Sequence, residues 1–252
     1  MSLPESPVAI VTGAGSGIGR AAALRLAAGG HRVTLAGRRA AALQETAAAV
    51  GDSPTLVAPC DVTEAATVTT MIDETLARFG RIDVLVNNAG ISRSAAFSDV
   101  TLAAWREVMA VNVESLVLVT QAALPALVTS GGRVVNVASV AGLGGDPGMT
   151  IYNAAKGAVV NLTRSLAVEL APRGVRVNAV APSLTTTDAT ADIPPADVEE
   201  FVRRIPLGRP AEPADVAGVI AFLAGPDARF VTGVVLPVDG GLRAGSGQPP
   251  HR

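Results

Sequence analysis

Cysteine is almost missing from this sequence: among 252 residues there is one, Cys60. A single thiol closes no intrachain disulfide, so the fold must rest on its core, and a reducing compartment, the cytoplasm, is the plain expectation. Cys60 itself reads as a small buried apolar residue. Aromatics make up only 3% of the chain, charged residues 17%, and the formal net charge is −2. That balance lacks the clustered basic surface that nucleic acid requires. No apolar run approaches the ~18 residues of a membrane span, and the stretch Val8–Val11 is too short for the core of a signal peptide. His, Cys and acidic residues nowhere fall at metal-ligand spacing, so no metal is expected. His31 reads as structural. Neither a short-period repeat nor an interdomain linker is visible.

What the chain does have is aliphatic residues. The hydrophobic fraction is 49%, mostly Ala, Val, Leu and Ile, which suits helices packed on a parallel sheet. Short apolar runs alternate with helical patterns. Strands are expected at Val8–Thr12, Arg32–Ala36, Thr55–Ala58, Ile82–Val86, Arg133–Ala138, Val175–Val180 and Val234–Val238. Helices are expected at Ile18–Ala28, after the second strand to about Val50, and at Glu64–Phe79, Leu102–Leu127, Tyr152–Leu170 and Pro213–Leu223. Pro125 would sit near the end of its helix or at a kink. The alternation implies an α/β, doubly wound, seven-stranded parallel sheet with helices on both faces, a Rossmann-type single domain over 1–252. Only Ser183–Pro210, rich in Thr, Asp and Pro, breaks the rhythm. A long irregular insert of this kind is usually functional. The tail 243–252, rich in Gly and Pro, is a candidate mobile segment.

The first strand runs into Gly13-Ala14-Gly15-Ser16-Gly17-Ile18-Gly19, and a helix follows. Glycines let the backbone turn tightly and approach a pyrophosphate, which the amides and dipole of the helix N-terminus then hold. Without the strand–loop–helix context this would read as an ordinary tight turn. From Thr12 the spacing is T-G-x-x-x-G-x-G. Here the chain resembles the short-chain dehydrogenase/reductase family, and further motifs extend the likeness from Val8 to about Gly241.

Tyr152 and Lys156 stand four apart in Tyr-Asn-Ala-Ala-Lys, on one helical face. Ser139 ends the fifth strand, at the carboxyl edge where doubly wound sheets hold ligands. Reducing a ketone delivers hydride to carbon and a proton to oxygen. Bringing a phenol from its ordinary pKa of about 10 to about 7 takes about 4 kcal/mol of phenolate stabilisation. A neighbouring ammonium and a helix N-terminus act in that direction. Tyr152 is the only tyrosine in the chain. The resemblance implies that it is the general acid/base, that Ser139 holds the substrate oxygen, that Lys156 also binds the nicotinamide ribose, and that Asn112 supports a water-mediated proton relay.

The resemblance further assigns Gly13, Ser16, Gly17, Ile18 and Gly19 to the cofactor, with Asp61 and Val62 at its adenine. Asn88, Ala89 and Gly90, from Asn87-Asn88-Ala89-Gly90, form its wall, and Asn87 serves the sheet. Taken alone, Asp61 reads as a helix cap. Pro182, Thr185 and Thr187 match the segment that reaches the nicotinamide carboxamide. Ser183 stands where the family has glycine; if that backbone needs φ > 0, serine is strained there. After the second strand, Gly37 is followed by Arg38 and Arg39, with no carboxylate for a ribose 2′-hydroxyl. Arg38 suits the 2′-phosphate of NADP, although no basic residue lies inside the glycine loop. NADP(H) is therefore the expected cofactor, with NAD(H) the alternative.

The expected activity is hydride transfer between NADP(H) and a small-molecule ketone, 3-oxoacyl thioester or secondary alcohol. The alternatives are an NAD-dependent alcohol or sugar dehydrogenase and a catalytically silent nucleotide-binding regulator. Ile91–Arg93, Leu143–Thr150 and the lid at 183–210 are the candidate substrate pocket. By the resemblance, the helix at Pro213–Leu223 and the segment Phe230–Gly241 form an interface of a homotetramer or homodimer. No nucleic-acid or membrane partner is expected.

Overall fold

Among the described residues there are seven apolar strands: β1 (Val8–Thr12), β2 (Arg32–Gly37), β3 (Thr55–Pro59), β4 (Val84–Asn87), β5 (Arg133–Val137), β6 (Arg176–Pro182) and β7 (Val235–Val238). They form one sheet in the order β3-β2-β1-β4-β5-β6-β7, every neighbouring pair parallel. The computed structural model describes residues 6–245, so 246–252 of the expected mobile tail lie outside the described residues.

Alternate side chains of each strand point to opposite faces, and both faces are apolar. Ala9, Val11, Val33, Leu35, Val84 and Val86 pack with α1 (Gly17–Ala28), α2 (Ala40–Val50) and α8 (Pro213–Ala224). Ile10, Leu85, Val134 and Val177 pack with α3 (Ala65–Phe79), α5 (Ser115–Ser130) and α6 (Thr150–Leu170). Burial on both faces explains why the strands read as continuous apolar runs. The strand order turns between β1 and β4, and there the carboxyl ends open a crevice.

Buried polar residues stitch the second layer. Asn87 Nδ2 donates to Thr120 Oγ1 (3.1 Å) and Asn136 Oδ1 (3.0 Å), and Asn136 Nδ2 donates to Thr163 Oγ1 (2.9 Å). This chain joins β4, β5, α5 and α6, which is the architectural role expected of Asn87.

Two elements differ from expectation. The single helix over Leu102–Leu127 is three segments: α4 (Leu102–Met109), a π-helical stretch Ala110–Glu114, and α5, which runs past Pro125 to Ser130. Asn112 Nδ2 donates to the Val108 carbonyl (3.0 Å), the i−4 acceptor that its own backbone N–H would take in an α-helix. The second difference lies in the insert, which is not irregular throughout: it holds α7 (Pro195–Arg204), an exposed helix in which Glu200 pairs with Arg203 and Arg204.

The span Leu102–Ser130 also has the length and apolar composition of a membrane crossing, contrary to the sequence expectation. In the fold its inner residues Leu116, Val119, Ala123 and Leu127 are buried in the core. It is the apolar helix of a sheet layer.

Candidate active site

The glycine loop is shaped for a ligand's backbone-close approach. Gly13 and Gly17 have φ of +66° and +51°, a region L side chains rarely adopt. A Cβ on Gly19 would collide with the Gly13 carbonyl and the Asn88 side chain. Ser16, the N-cap of α1, makes no side-chain cap bond, so the first amides of this twelve-residue helix keep their donors. Thr12 Oγ1 accepts from the N–H groups of Asn88 (2.9 Å) and Ala89 (3.0 Å), while Asn88 Nδ2 donates to the carbonyls of Thr12 (2.9 Å) and Gly13 (3.3 Å). Asn88 thus clamps the loop to the end of β4. A narrow glycine cradle, free helix amides and a firm wall are what a dinucleotide pyrophosphate fits.

At the far end of the cradle, Arg39 Nη2 donates to Ser16 Oγ (3.2 Å). The glycine loop carries no basic residue of its own, yet a guanidinium stands on it. In the sequence the cofactor choice rests on Arg38; the place of Arg39 beside it, after Gly37, is the available signal. Asp61 accepts from Thr63 N (3.0 Å) and Thr63 Oγ1 (2.7 Å). These bonds, with a smaller attraction from Arg38, hold its carboxyl below the ordinary carboxylate range. Asp61 therefore stabilises the turn ahead of α3, whose N-cap is Glu64, so the helix-cap reading is corrected. Val62 beside it is buried.

Ser139, Tyr152 and Lys156 converge at the ends of β5 and β6. Ser139 is buried; its Oγ accepts from Ala141 N (3.1 Å) and lies 3.4 Å from the Pro182 carbonyl. It also faces the Tyr152 hydroxyl closely enough to act on its pKa. Tyr152 lies in the first turn of α6, and Lys156 one turn on places Nζ 5.7 Å from the Tyr152 ring centroid. Burial raises the Tyr152 phenol above its ordinary value, with the Ser139 hydroxyl opposing. Burial lowers Lys156 to about 8. Its Nζ donates to the Val137 carbonyl (2.9 Å), with no carboxylate partner among the described residues.

Asn112 joins this group through the π-helical segment. Its Nδ2 also donates to the Ile91 carbonyl (2.9 Å), and its Oδ1 is buried with no partner among the described residues. Gly90 sits between it and Lys156.

The segment after β6 packs against the glycine loop. A Cβ on Gly17 would lie 3.0 Å from the Thr187 methyl. Thr187 N donates to Thr190 Oγ1 (3.0 Å), and buried Thr185 donates to the Ser183 carbonyl (3.0 Å). No described residue other than glycine has positive φ, so Ser183 fits its backbone without strain.

A family model described as enoyl-(acyl carrier protein) reductase matches residues 13–243. The chain is 44% identical over 245 residues to the meso-2,3-butanediol dehydrogenase of Serratia marcescens, covering 97% of this chain and 98% of that one. It is 40% identical over 247 residues to the 3-oxoacyl-(acyl-carrier-protein) reductase of Synechocystis sp., covering 96% and 99%. Its fold superposes with a TM-score of 0.89 on the 3-ketoacyl-(acyl-carrier-protein) reductase from Brucella melitensis complexed with NADH, at 36% identity over 94% of this chain and 98% of that one. With this fold and these relatives, the chain is a nicotinamide-dependent oxidoreductase acting on CH–OH and carbonyl groups. It belongs to the short-chain dehydrogenase/reductase family.

Proposed function

We propose that the protein is an NADP(H)-dependent carbonyl reductase in which Tyr152 protonates the substrate oxygen. The observation that carries this reading is the convergence of buried Ser139 and Lys156 on Tyr152, with Lys156 Nζ 5.7 Å from its ring centroid. When bound, the nicotinamide supplies the hydride. Tyr152, kept protonated by burial, gives its proton to the carbonyl oxygen. Ser139 donates a second hydrogen bond to that oxygen and fixes it against the phenol. Lys156 binds ribose hydroxyls, and its ammonium stabilises the phenolate left behind. Asn112 Oδ1 accepts from a water that hands protons back through Lys156 to Tyr152. The reverse sequence oxidises a secondary alcohol. Ketones and 3-oxoacyl thioesters are the substrate classes that this chemistry suits.

NADP(H) is favoured by the pair Arg38 and Arg39. Arg38 attracts the Asp61 carboxylate, and Arg39 stands on Ser16 in the loop. Two guanidiniums at the start of α2 oppose its dipole by about 0.3–1 kcal/mol each, a cost that a 2′-phosphate reverses. Gly13, Gly17, Ile18 and Gly19 would hold the pyrophosphate. Asp61 and Val62 would meet the adenine, Asn88, Ala89 and Gly90 would line the wall, and Pro182, Thr185 and Thr187 would meet the carboxamide. The chain works as one cofactor-binding domain with 183–210 as its lid, in the cytoplasm, as a homotetramer. β7 is a sheet edge only half-buried, and Phe222 and Phe230 are exposed, which supports pairing of that edge between copies.

The test compares NADPH and NADH with a panel of ketones. NADPH is expected to give the higher kcat/KM, and Arg38→Asp to reverse the order. Equal values for the two cofactors, or an Arg38→Asp variant that keeps its NADPH affinity, contradict the cofactor reading.

A further inference from the structure

The last turn of the described chain reaches back to the substrate side of the site. Beyond β7, Asp239 opens a turn in which Gly240 and Gly241 have φ of +61° and +91°. The buried Asp239 carboxylate accepts from the N–H groups of Gly241 (3.0 Å) and Arg243 (3.0 Å). The backbone of Arg243 is thereby fixed by a side chain that barely meets solvent. From this anchor the guanidinium rests on the substrate loop: a Cβ on Gly144 would lie 2.8 Å from Arg243 Nη1.

Gly144 follows the 3-10 turn Val140–Leu143 that Ser139 caps, and its carbonyl accepts from Asn153 Nδ2 (3.3 Å), next to Tyr152. Arg243 thus fills the space that a residue-144 side chain would take, on the loop joining two residues of the proton-transfer site. A Cβ on Gly145 would meet nothing within 4 Å, so the floor beside it is open. The guanidinium makes no ion pair among the described residues, whereas Arg93 is paired with Glu107 and Arg209 with Asp215. The loop's one carboxylate, Asp146, accepts from Asn153 Nδ2 (3.2 Å) instead.

We propose that Arg243 is a specificity-determining residue that receives a carboxylate carried by the substrate away from its reacting carbon. This rests on the reading of Ser139 and Tyr152 as the reacting end of the pocket. A planar fork of donors, held from behind by an anchored turn and facing bare glycine, matches the two oxygens of a carboxylate. Gly145, next to the residue that Arg243 covers, leaves the room that such a group needs.

The test pairs ligands that differ only in charge, using the full chain with NADPH. Wild type is expected to reduce 4-oxocyclohexanecarboxylate with a kcat/KM about 10–100-fold above that of its methyl ester, the scale of a charge-assisted hydrogen-bonded pair. Arg243→Gln should bring the ratio near one, Arg243→Glu should invert it, and Arg243→Lys should keep part of it. Calorimetry with cyclohexanecarboxylate and cyclohexanecarboxamide on the NADPH complex reads the same contrast without turnover. If no ketone is reduced but carboxylate binding depends on Arg243, the reductase reading fails and the assignment of Arg243 stands. If ketones are reduced with no preference for the carboxylate, or the preference survives Arg243→Gln, the assignment is overturned.

Discussion

Asn112 and Lys156 meet across a glycine. A Cβ placed on Gly90 would lie 2.7 Å from Asn112 Oδ1 and 3.5 Å from Lys156 Nζ. The buried acceptor without a partner and the buried ammonium face the same small space, where a water would satisfy both. The only side chain that leaves this space open is hydrogen.

Filling it should therefore damage the site. Gly90→Ala is expected to push Asn112 and Lys156 apart and lower kcat/KM by about a hundredfold, the scale of a 1 Å misplacement near reacting groups. Overpacking adds a stability loss of about 1–3 kcal/mol. Steady-state kinetics and thermal unfolding of the variant check both, and wild-type kinetics would rule out a functional role for this space.

Lys156 is held at a cost. Lowering its pKa from 10.5 to about 8 corresponds to about 3 kcal/mol against the charged form at neutral pH. Its bond to the Val137 carbonyl (2.9 Å) returns about 1 kcal/mol. Lys156→Met is therefore expected to gain roughly 2 kcal/mol of stability while losing turnover, measured by unfolding at pH 7. The sign with pH follows: between about 8 and 10.5 the unfolded chain binds the proton that the folded chain lacks, so wild-type stability from this group rises with pH there. In Lys156→Met that rise should vanish.

Reduction needs Tyr152 protonated and Lys156 charged. Burial keeps the phenol above its ordinary value, so the limiting group is Lys156 at about 8. The kcat/KM for ketone reduction should be level below that pH and fall by about tenfold per unit above it. A profile that stays flat through pH 9 to 10 contradicts the role given to the ammonium.

The buried amide chain makes a prediction about the scaffold. Asn136→Ala removes one of the two acceptors of Asn87 Nδ2, which keeps Thr120, and the amide that donates to Thr163 Oγ1, which keeps its bond to the Val159 carbonyl. Leaving one buried Asn87 N–H unpaired should cost about 1–3 kcal/mol, read as a lower Tm.

The sheet was legible because each strand is apolar on both faces and bounded by Gly, Pro or charge, and Val8–Thr12 came out with its expected ends. That Ser139, Tyr152 and Lys156 stand near one another could be expected from a strand end, a four-residue helical spacing and the family resemblance taken together, and the fold does bring them to the ends of β5 and β6. The π-helical turn at Asn112 was not, since it arises from a side chain taking a backbone carbonyl, an event that leaves the apolar pattern of Leu102–Leu127 unchanged. The meeting of Arg39 with Ser16 joins residues 23 apart in sequence and needs the β1–β2 register to appear. Helix α7 was hidden because no residue in it is buried, so it carries no core-facing stripe anchored to the sheet.

The most direct test of the account is Tyr152→Phe, assayed by ketone-dependent NADPH oxidation alongside NADPH affinity. The substitution removes one oxygen and keeps the ring. The account predicts a loss of about 10²–10⁴-fold in turnover with NADPH binding retained. Turnover within a few-fold of wild type would contradict Tyr152 as the proton donor.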